Sequence, residues 1–426
     1  MYNYHADIIW GIDKILLGVT VLLAIFDILY VAFKEISESE ATRKLAIIKR
    51  NLRDLARTGA EKVKNVCPVI MGKVTSQQFL EIARDKELTV SREFEKELRD
   101  CFMTSGRIGE IERVSQTSRN KWHRIQAIIS LGYTNSPAAV EILKNSLVEK
   151  DEDVSYFSML ALGQLRDNSS AKILLDYLGS HRNSGNRIIS LLDKFPSDIV
   201  SEALKATESG DPVVRFWAVK LISRFKSKSC LQRIEELTGD TSDDVRAAAC
   251  ECLGKIGSGE AKDPVVRCFS DKVWFVRMHA VRALSAILGK ESIPEIVTLL
   301  KDKTWLVRDA VKKTMVHNID AALPYLERLI HEGGDMLKKD CVEVLEDSGY
   351  LLILFKKLLS ENAEAKNKAV NLLKEIMNSG AHLGLESALA GLGEETQKRI
   401  LQIISDIDKA LSEHIDKKIR HQIAET

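Results

Sequence analysis

Few residues in this chain could do chemistry by type and spacing. Four arginines recur in Val-Arg pairs, Val214-Arg215, Val245-Arg246, Val276-Arg277 and Val307-Arg308, each 31 residues after the last. An acidic residue stands shortly before each pair, at Asp211, Asp240, Asp271 and Asp302. A guanidinium is always charged and forks onto two oxygens. A row of them either pairs with the chain's own carboxylates or holds a polyanion. We read Arg215, Arg246, Arg277 and Arg308 as a structural ladder, with an anion-binding ladder as the alternative. Trp274 and Trp305 share one position, three residues before the arginine. There an indole either packs on the preceding repeat or anchors a partner, as tryptophans at binding hot spots do.

Catalytic patterns are absent. The sequence has no G-x-x-x-x-G-K-[ST], no G-x-S-x-G, no H-E-x-x-H and no paired C-x-x-C. His331-Glu332 is the single His-Glu dipeptide. Cys250 and Cys252 lie inside a helical stretch, where residues two apart point to different faces, so they read as core residues. No catalytic, metal-binding or cofactor-binding residue is assigned, and the chain is expected not to be an enzyme and to take no small molecule.

The elements that position these residues are helical throughout. Among 426 residues there are only 7 prolines, and 45% are hydrophobic, which suits helices and a sizeable core. Lys+Arg 62 against Asp+Glu 61 leaves no basic excess, which argues against a general nucleic-acid binder. Seven cysteines, only Cys250 and Cys252 close together, suggest no disulfide framework and a reducing compartment.

Residues Ile15–Phe33 form a predominantly apolar run whose one charged residue is Asp27. At roughly 1.5 Å per residue they would span about 28 Å, close to a hydrocarbon core of about 30 Å. The expectation is a transmembrane helix, with Lys34, Arg43, Lys44, Lys49 and Arg50 after it holding the C-terminal part on the cytoplasmic side. This makes a single-pass protein of an inner or plasma membrane, N-terminus outside. A carboxyl in hydrocarbon is costly unless paired or neutralised, so Asp27 is either a contact with another membrane helix or a tolerated, protonated residue. Beyond it Leu45, Ile48, Leu52 and Leu55 make a helical stripe, packing on the rest of the chain, on a partner, or along headgroups.

After each Val-Arg pair come small or apolar residues, such as Ala218-Val219, Ala249-Cys250 and Ala280-Val281, and then a second apolar helix such as Ile293–Asp302 or Ala322–Gly333. Looser copies are led by Arg124, Val154-Ser155, Arg187, Lys338 and Lys366. The pattern resembles the HEAT repeat in its short EZ, or PBS-lyase-like, form over roughly two thirds of the chain. The resemblance implies an all-α fold, an α-solenoid of stacked antiparallel helix pairs in a superhelix, and an arginine in each seam reaching an acidic group of an adjoining repeat. One helix pair cannot bury its own apolar face and must stack. HEAT-type diiron hydroxylases use several His-Glu dipeptides, and this chain has one.

The expected organisation is an anchor over 1–36, a juxtamembrane helix over 37–66, a helical cap over 67–118, a solenoid of about nine repeats over 119–393 and a capping helix with tail over 394–426. The expected function is a membrane-anchored scaffold or adaptor, touching the bilayer through 15–33 and binding a membrane-associated protein through Asp27, Trp274 or Trp305. The alternatives are a nucleic-acid-binding HEAT-like protein at the membrane and a lyase-type subunit. Nucleic acid is not the expected partner, since Ile293–Leu300 carries Glu295 and no basic residue.

Overall fold

The computed structural model describes residues 107–134, 136–181, 184–196, 198–378 and 383–425, and before them 26, 39–55, 69–71, 74–83, 85, 94, 100, 101 and 103. The described residues are helical and contain no strand. They divide into two compact units, Met1–Leu174 and Leu175–Thr426, the division falling within the helix Asn168–Ser180.

One expectation is corrected. Among the described residues no helix is long and apolar enough to cross a membrane, so a single-pass membrane protein with a cytoplasmic solenoid is not supported. Even the 17-residue helix Lys409–Glu425 would reach only about 25 Å and is rich in charge. Asp27 and the rest of Ile15–Phe33 lie outside the described residues, apart from Phe26.

In the first unit the helical segment 39–55 buries Leu45 and Leu52. Lys49 and Arg53 on the same segment reach Asp85 at 3.1 and 3.5 Å. The stripe read from the sequence thus faces protein. Ile108–Thr117 packs against Lys121–Leu131, which packs against Glu152–Leu165. Local chemistry starts these helices. The Asn120 side chain accepts from the N–H groups of Trp122 and His123, Asp151 accepts from Asp153 and Val154, and Ser136 precedes Pro137 at the first helical position.

In the second unit the helices that carry the Val-Arg pairs are α1 (Pro212–Phe225), α2 (Asp243–Ile256), α3 (Trp274–Leu288) and α4 (Trp305–His317), followed by α5 (Asp335–Asp347). Each packs side by side with the next. The short return helices are Leu231–Leu237, Lys262–Arg267 and Ile293–Ile296, then the longer Ile319–Glu332. Two of them tighten into 3-10 turns, at Cys268–Ser270 and Val297–Lys301. The apolar stretch expected as one helix over Ile293–Asp302 is therefore α-helical only in its first turn. The tighter winding ends on Asp302 with extended backbone, which frees its carboxylate for the next contact.

That contact is a repeated fork. Arg215 Nε and Nη2 donate to Asp240 at 2.9 and 2.7 Å. Arg246 does the same to Asp271 at 2.6 and 3.1 Å, and Arg277 to Asp302 at 2.6 and 2.8 Å. In all three the arginine and aspartate are 25 residues apart. The remaining nitrogen turns back on the chain: Nη1 of Arg246 donates to the Asp240 carbonyl at 2.9 Å, and Nη1 of Arg277 to the Asp271 carbonyl at 2.8 Å. Each middle aspartate therefore binds one arginine through its carboxylate and the next through its carbonyl. The carboxylate also accepts a backbone N–H two residues on, from Ser242, Val273 or Thr304, at 2.8 Å. These three aspartates shape the turn before the helix, whereas Asp211 caps α1 directly, accepting from Val213 N–H at 2.8 Å.

Close packing between first helices has its own requirement. A Cβ on Gly254 would stand 2.9 Å from Ala283 Cα on the next helix, and one on Gly132 would stand 2.8 Å from Ala161 Cα. Both pairs are 29 residues apart, so the same backbone approach recurs in each unit.

Three predictions follow from this packing. Arg277→Ala leaves the buried Asp302 carboxylate without its fork and should destabilise the chain by about 3 kcal/mol in urea unfolding; an unchanged midpoint would place Arg277 outside the packed seam. Gly254→Ala gains roughly 1 kcal/mol of helix propensity yet should lower the melting temperature, because backbone must move to admit the methyl. The third concerns acid. Burial alone would push the carboxyls of Asp240, Asp271 and Asp302 up, but the guanidinium hydrogen bonds and the backbone N–H groups outweigh it and hold all three below the usual value. A depressed folded pKa adds stability above the unfolded value, about 3.9, and that stability is lost as pH falls through the folded value. Melting curves of Asp271→Asn and Asp302→Asn should therefore drop less steeply below about pH 4 than those of the native chain, although both start lower at pH 7.

Candidate functional site

The candidate site is an edge of the second unit, where the first turns of α3 and α4 meet solvent. Val276 and Val307, two residues after each tryptophan, are fully buried, and three after stand Arg277, which forks onto Asp302, and Arg308, which bonds Asp340 through Nε. Residues three apart share a helix face, so each indole stands beside the ladder, one turn nearer the helix start. Trp274 is 38% exposed and Trp305 63%. Phe275 meets Trp274 edge-on at 5.7 Å between ring centroids. Both indoles keep a face toward water instead of filling the core.

The ladder arginines offer little to an outside anion. The side chains of Arg246 and Arg277 are buried, and every nitrogen of Arg277 donates within the protein, to Asp302, Asp271 or Thr304. The Asp302 fork and its charge raise the Arg277 pKa further, against the lowering by burial. Arg308 reaches Asp340 at 2.8 Å, 32 residues ahead. Asp340 lies inside α5, where Lys312 approaches its other oxygen at 3.3 Å. In the first unit Arg124 meets Glu149 at 2.6 Å, again 25 residues on. At the next arginine position Ser155 donates instead to the Leu147 carbonyl at 2.6 Å.

The other sequence candidates are held inside the fold. The six described cysteines are buried free thiols. Cys250 and Cys252 diverge, Cys250 meeting Cys268 while Cys252 senses Cys230. Contact with Cys268, with burial, pushes the Cys250 thiol well up, and burial pushes Cys252 and Cys341 up to about 12. Such thiols stay protonated at neutral pH and are poor nucleophiles. His331 is exposed and faces Glu375 at 3.2 Å. Among the described residues no group of three or more His, Cys, Asp or Glu could hold a metal ion. The return helices do not present a basic groove: Glu295 is taken by Lys262 at 2.6 Å, and Arg233 by Glu236 at 2.8 Å.

Among the exposed apolar side chains that went unassigned in the sequence are Trp122 at 62% and Met336 at 58%. Trp122 lies in the Arg124 copy, two residues before the arginine. Met336 lies 31 residues after Trp305, as Trp305 lies 31 after Trp274. That spacing was the available signal. It was hidden because the copy after Gly334 has Lys339 at the arginine position and no Val-Arg pair.

Comparison with known proteins bears on the fold. The family model for HEAT repeats matches residues 111–192 and 197–285. No curated protein matches the chain. Among solved structures, an engineered protein is 17% identical with a TM-score of 0.30, covering 81% of this chain and 98% of that one. The complex of CpcE and CpcF of phycocyanin lyase from Nostoc sp. PCC7120 is 15% identical with a TM-score of 0.30, covering 54% and 98%. Kap121p is 12% identical with a TM-score of 0.38, covering 90% of this chain and 51% of its own. Likenesses of this size carry no functional argument. The family match is confined to those two stretches, where the chain is similar to HEAT repeats and is built of periodic helix pairs.

Proposed function

We propose that this chain is a non-catalytic scaffold whose repeats bind a protein partner, with Trp274 and Trp305 among the contacts. The observation that supports it is the exposure of two large indoles at one repeat position in consecutive helices. Side chains of this size are strongly favoured to be buried, and exposed tryptophans next to rigid structure make strong anchors on association. The rigidity comes from the buried arginine–aspartate pairs three residues further along each helix. An anchor whose backbone is already held in place loses less freedom on binding. Burial of the arginines, the paired charges of the return helices and the protonated thiols are each in keeping with a binding surface and not with anion capture or covalent catalysis.

Truncating an exposed side chain should leave stability within about 0.5 kcal/mol, so fold and binding can be separated. Full-length chain purified from its own cells should bring down a protein in fixed ratio. Trp305→Ala should melt as the native chain does and recover that protein at least roughly tenfold less, the loss of a hot-spot residue. Equal recovery by the native chain and by the double variant Trp274→Ala, Trp305→Ala would sink this reading.

A further inference from the structure

The apolar edge does not end at the tryptophans. Trp274, Trp305 and Met336 stand at one repeat position in α3, α4 and α5, successive helices in direct contact. All three are exposed, at 38, 63 and 58%. The Arg277–Asp302 fork ties α3 to the turn that opens α4, and the Arg308–Asp340 hydrogen bond ties α4 to α5, both close to these side chains, so the row has a fixed spacing. Charge follows the same register. Lys272 and Lys303 each stand two residues before a tryptophan, 31 residues apart, and Lys301 lies beside them. All three lysines are exposed and make no ion pair among the described residues. The neighbouring Asp271 and Asp302 carboxylates are taken by arginines. Exposed carboxylates flank the row at Glu332, at the repeat position of Lys301, and at Asp335 beside Met336, and Asp243 holds the tryptophan position in α2. Next to the two tryptophans themselves the exposed charges are those of Lys272, Lys301 and Lys303.

Resting on the scaffold reading above, we propose that this edge binds an extended, acidic polypeptide segment with an apolar side chain at every third position. Packed helices lie about 8–10 Å apart, so the three anchors should repeat at about that interval. A polyproline-II segment turns once in 3 residues and rises about 9.3 Å per turn, placing every third side chain on one face at the matching distance. A β-strand puts same-face side chains about 6.8 Å apart, which does not match. The lysines select carboxylates between the anchors. Met336 offers no flat π face for a base but adapts to irregular apolar shapes, which favours a polypeptide over a single-stranded nucleic acid.

The test uses the full chain and fluorescent synthetic peptides, read by anisotropy. One peptide carries Leu or Phe at every third position with Glu between. The others move the apolar residues to every second position, replace Glu by Lys, or replace the apolar residues by Ser. Oligothymidylate and vesicles containing phosphatidylserine complete the set. The three-spaced acidic peptide should bind best and weaken as salt rises. Trp305→Ala and Met336→Ser should each weaken it several-fold, and Lys272→Glu with Lys303→Glu at least roughly tenfold, all without a change in melting temperature. Tighter binding of the lysine peptide, the oligothymidylate or the vesicles overturns the proposal, as does failure of every peptide to bind. If peptide binding needs Trp305 but ignores Lys272, Lys303 and the spacing, the acidic ligand falls and the scaffold reading stands. If the tryptophan variants change neither peptide binding nor recovery of the cellular partner, both fall.

Discussion

A guanidinium clasped by a carboxylate 25 residues further along the chain joins each central repeat to the next. The pair does more than neutralise charge. Its two parallel hydrogen bonds fix direction as well as distance, and the aspartate's own carbonyl receives the following arginine. The result is a continuous line of hydrogen bonds through Arg215, Asp240, Arg246, Asp271, Arg277 and Asp302. Buried charges of this kind are costly to separate but add little beyond what an apolar contact would give. Their value here is register: an arginine can meet its aspartate only when neighbouring repeats stack at one offset.

The remaining packing depends on that offset. Gly254 meets Ala283 backbone to backbone only if α2 and α3 are neither slipped nor splayed. Lys220 reaches Glu251 at 2.9 Å across consecutive helices, and Lys312 reaches Glu343 at 2.6 Å, both 31 residues on. Burial would raise the Glu251 carboxyl, yet Lys255 and Lys220 bring it down to about 2. The exposed row Trp274, Trp305 and Met336 takes its spacing from the same source, because Arg277 and Arg308 lie one turn after the tryptophans and Asp340, which receives Arg308, lies one turn after Met336.

The rungs also show how far the motif can drift. In the first unit the two tasks of a central aspartate are divided, Glu149 receiving Arg124 while Asp151 caps the next helix. A serine at the following arginine position donates to a backbone carbonyl. In the second unit the last rung of the Val-Arg series closes on Asp340, which lies within a helix and not before one. Gly333 and Gly334 occupy the turn where an aspartate would otherwise stand, so the acceptor has moved onto the next helix and gained Lys312 as a second partner.

What could be read from the residues alone was local or periodic. Helices announce themselves through apolar spacing and through caps such as Asn120, Asp151 and Asp211, and a 31-residue period needs no coordinates to be seen. Contacts between repeats were decided by stacking. The resemblance implied an acidic partner for each arginine, but only the packed helices select Asp240 for Arg215 and Asp340 for Arg308. The change from α to 3-10 winding at Val297 is likewise a tertiary outcome, since the apolar run Ile293–Leu300 reads as one helix. Ile15–Phe33 has the composition of a membrane span but lies, apart from Phe26, outside the described residues, and the described helices include none that could cross one. Exposure was the least legible property. Trp217 and Trp305 are the same residue type in the first and fourth Val-Arg copies, one two residues after the arginine and the other three before it. Yet Trp217 lies so close to Gly185 that a Cβ there would come within 2.0 Å of its ring, while Trp305 faces solvent. A sequence records that an indole is present, but which atoms cover it depends on helices brought together by the fold.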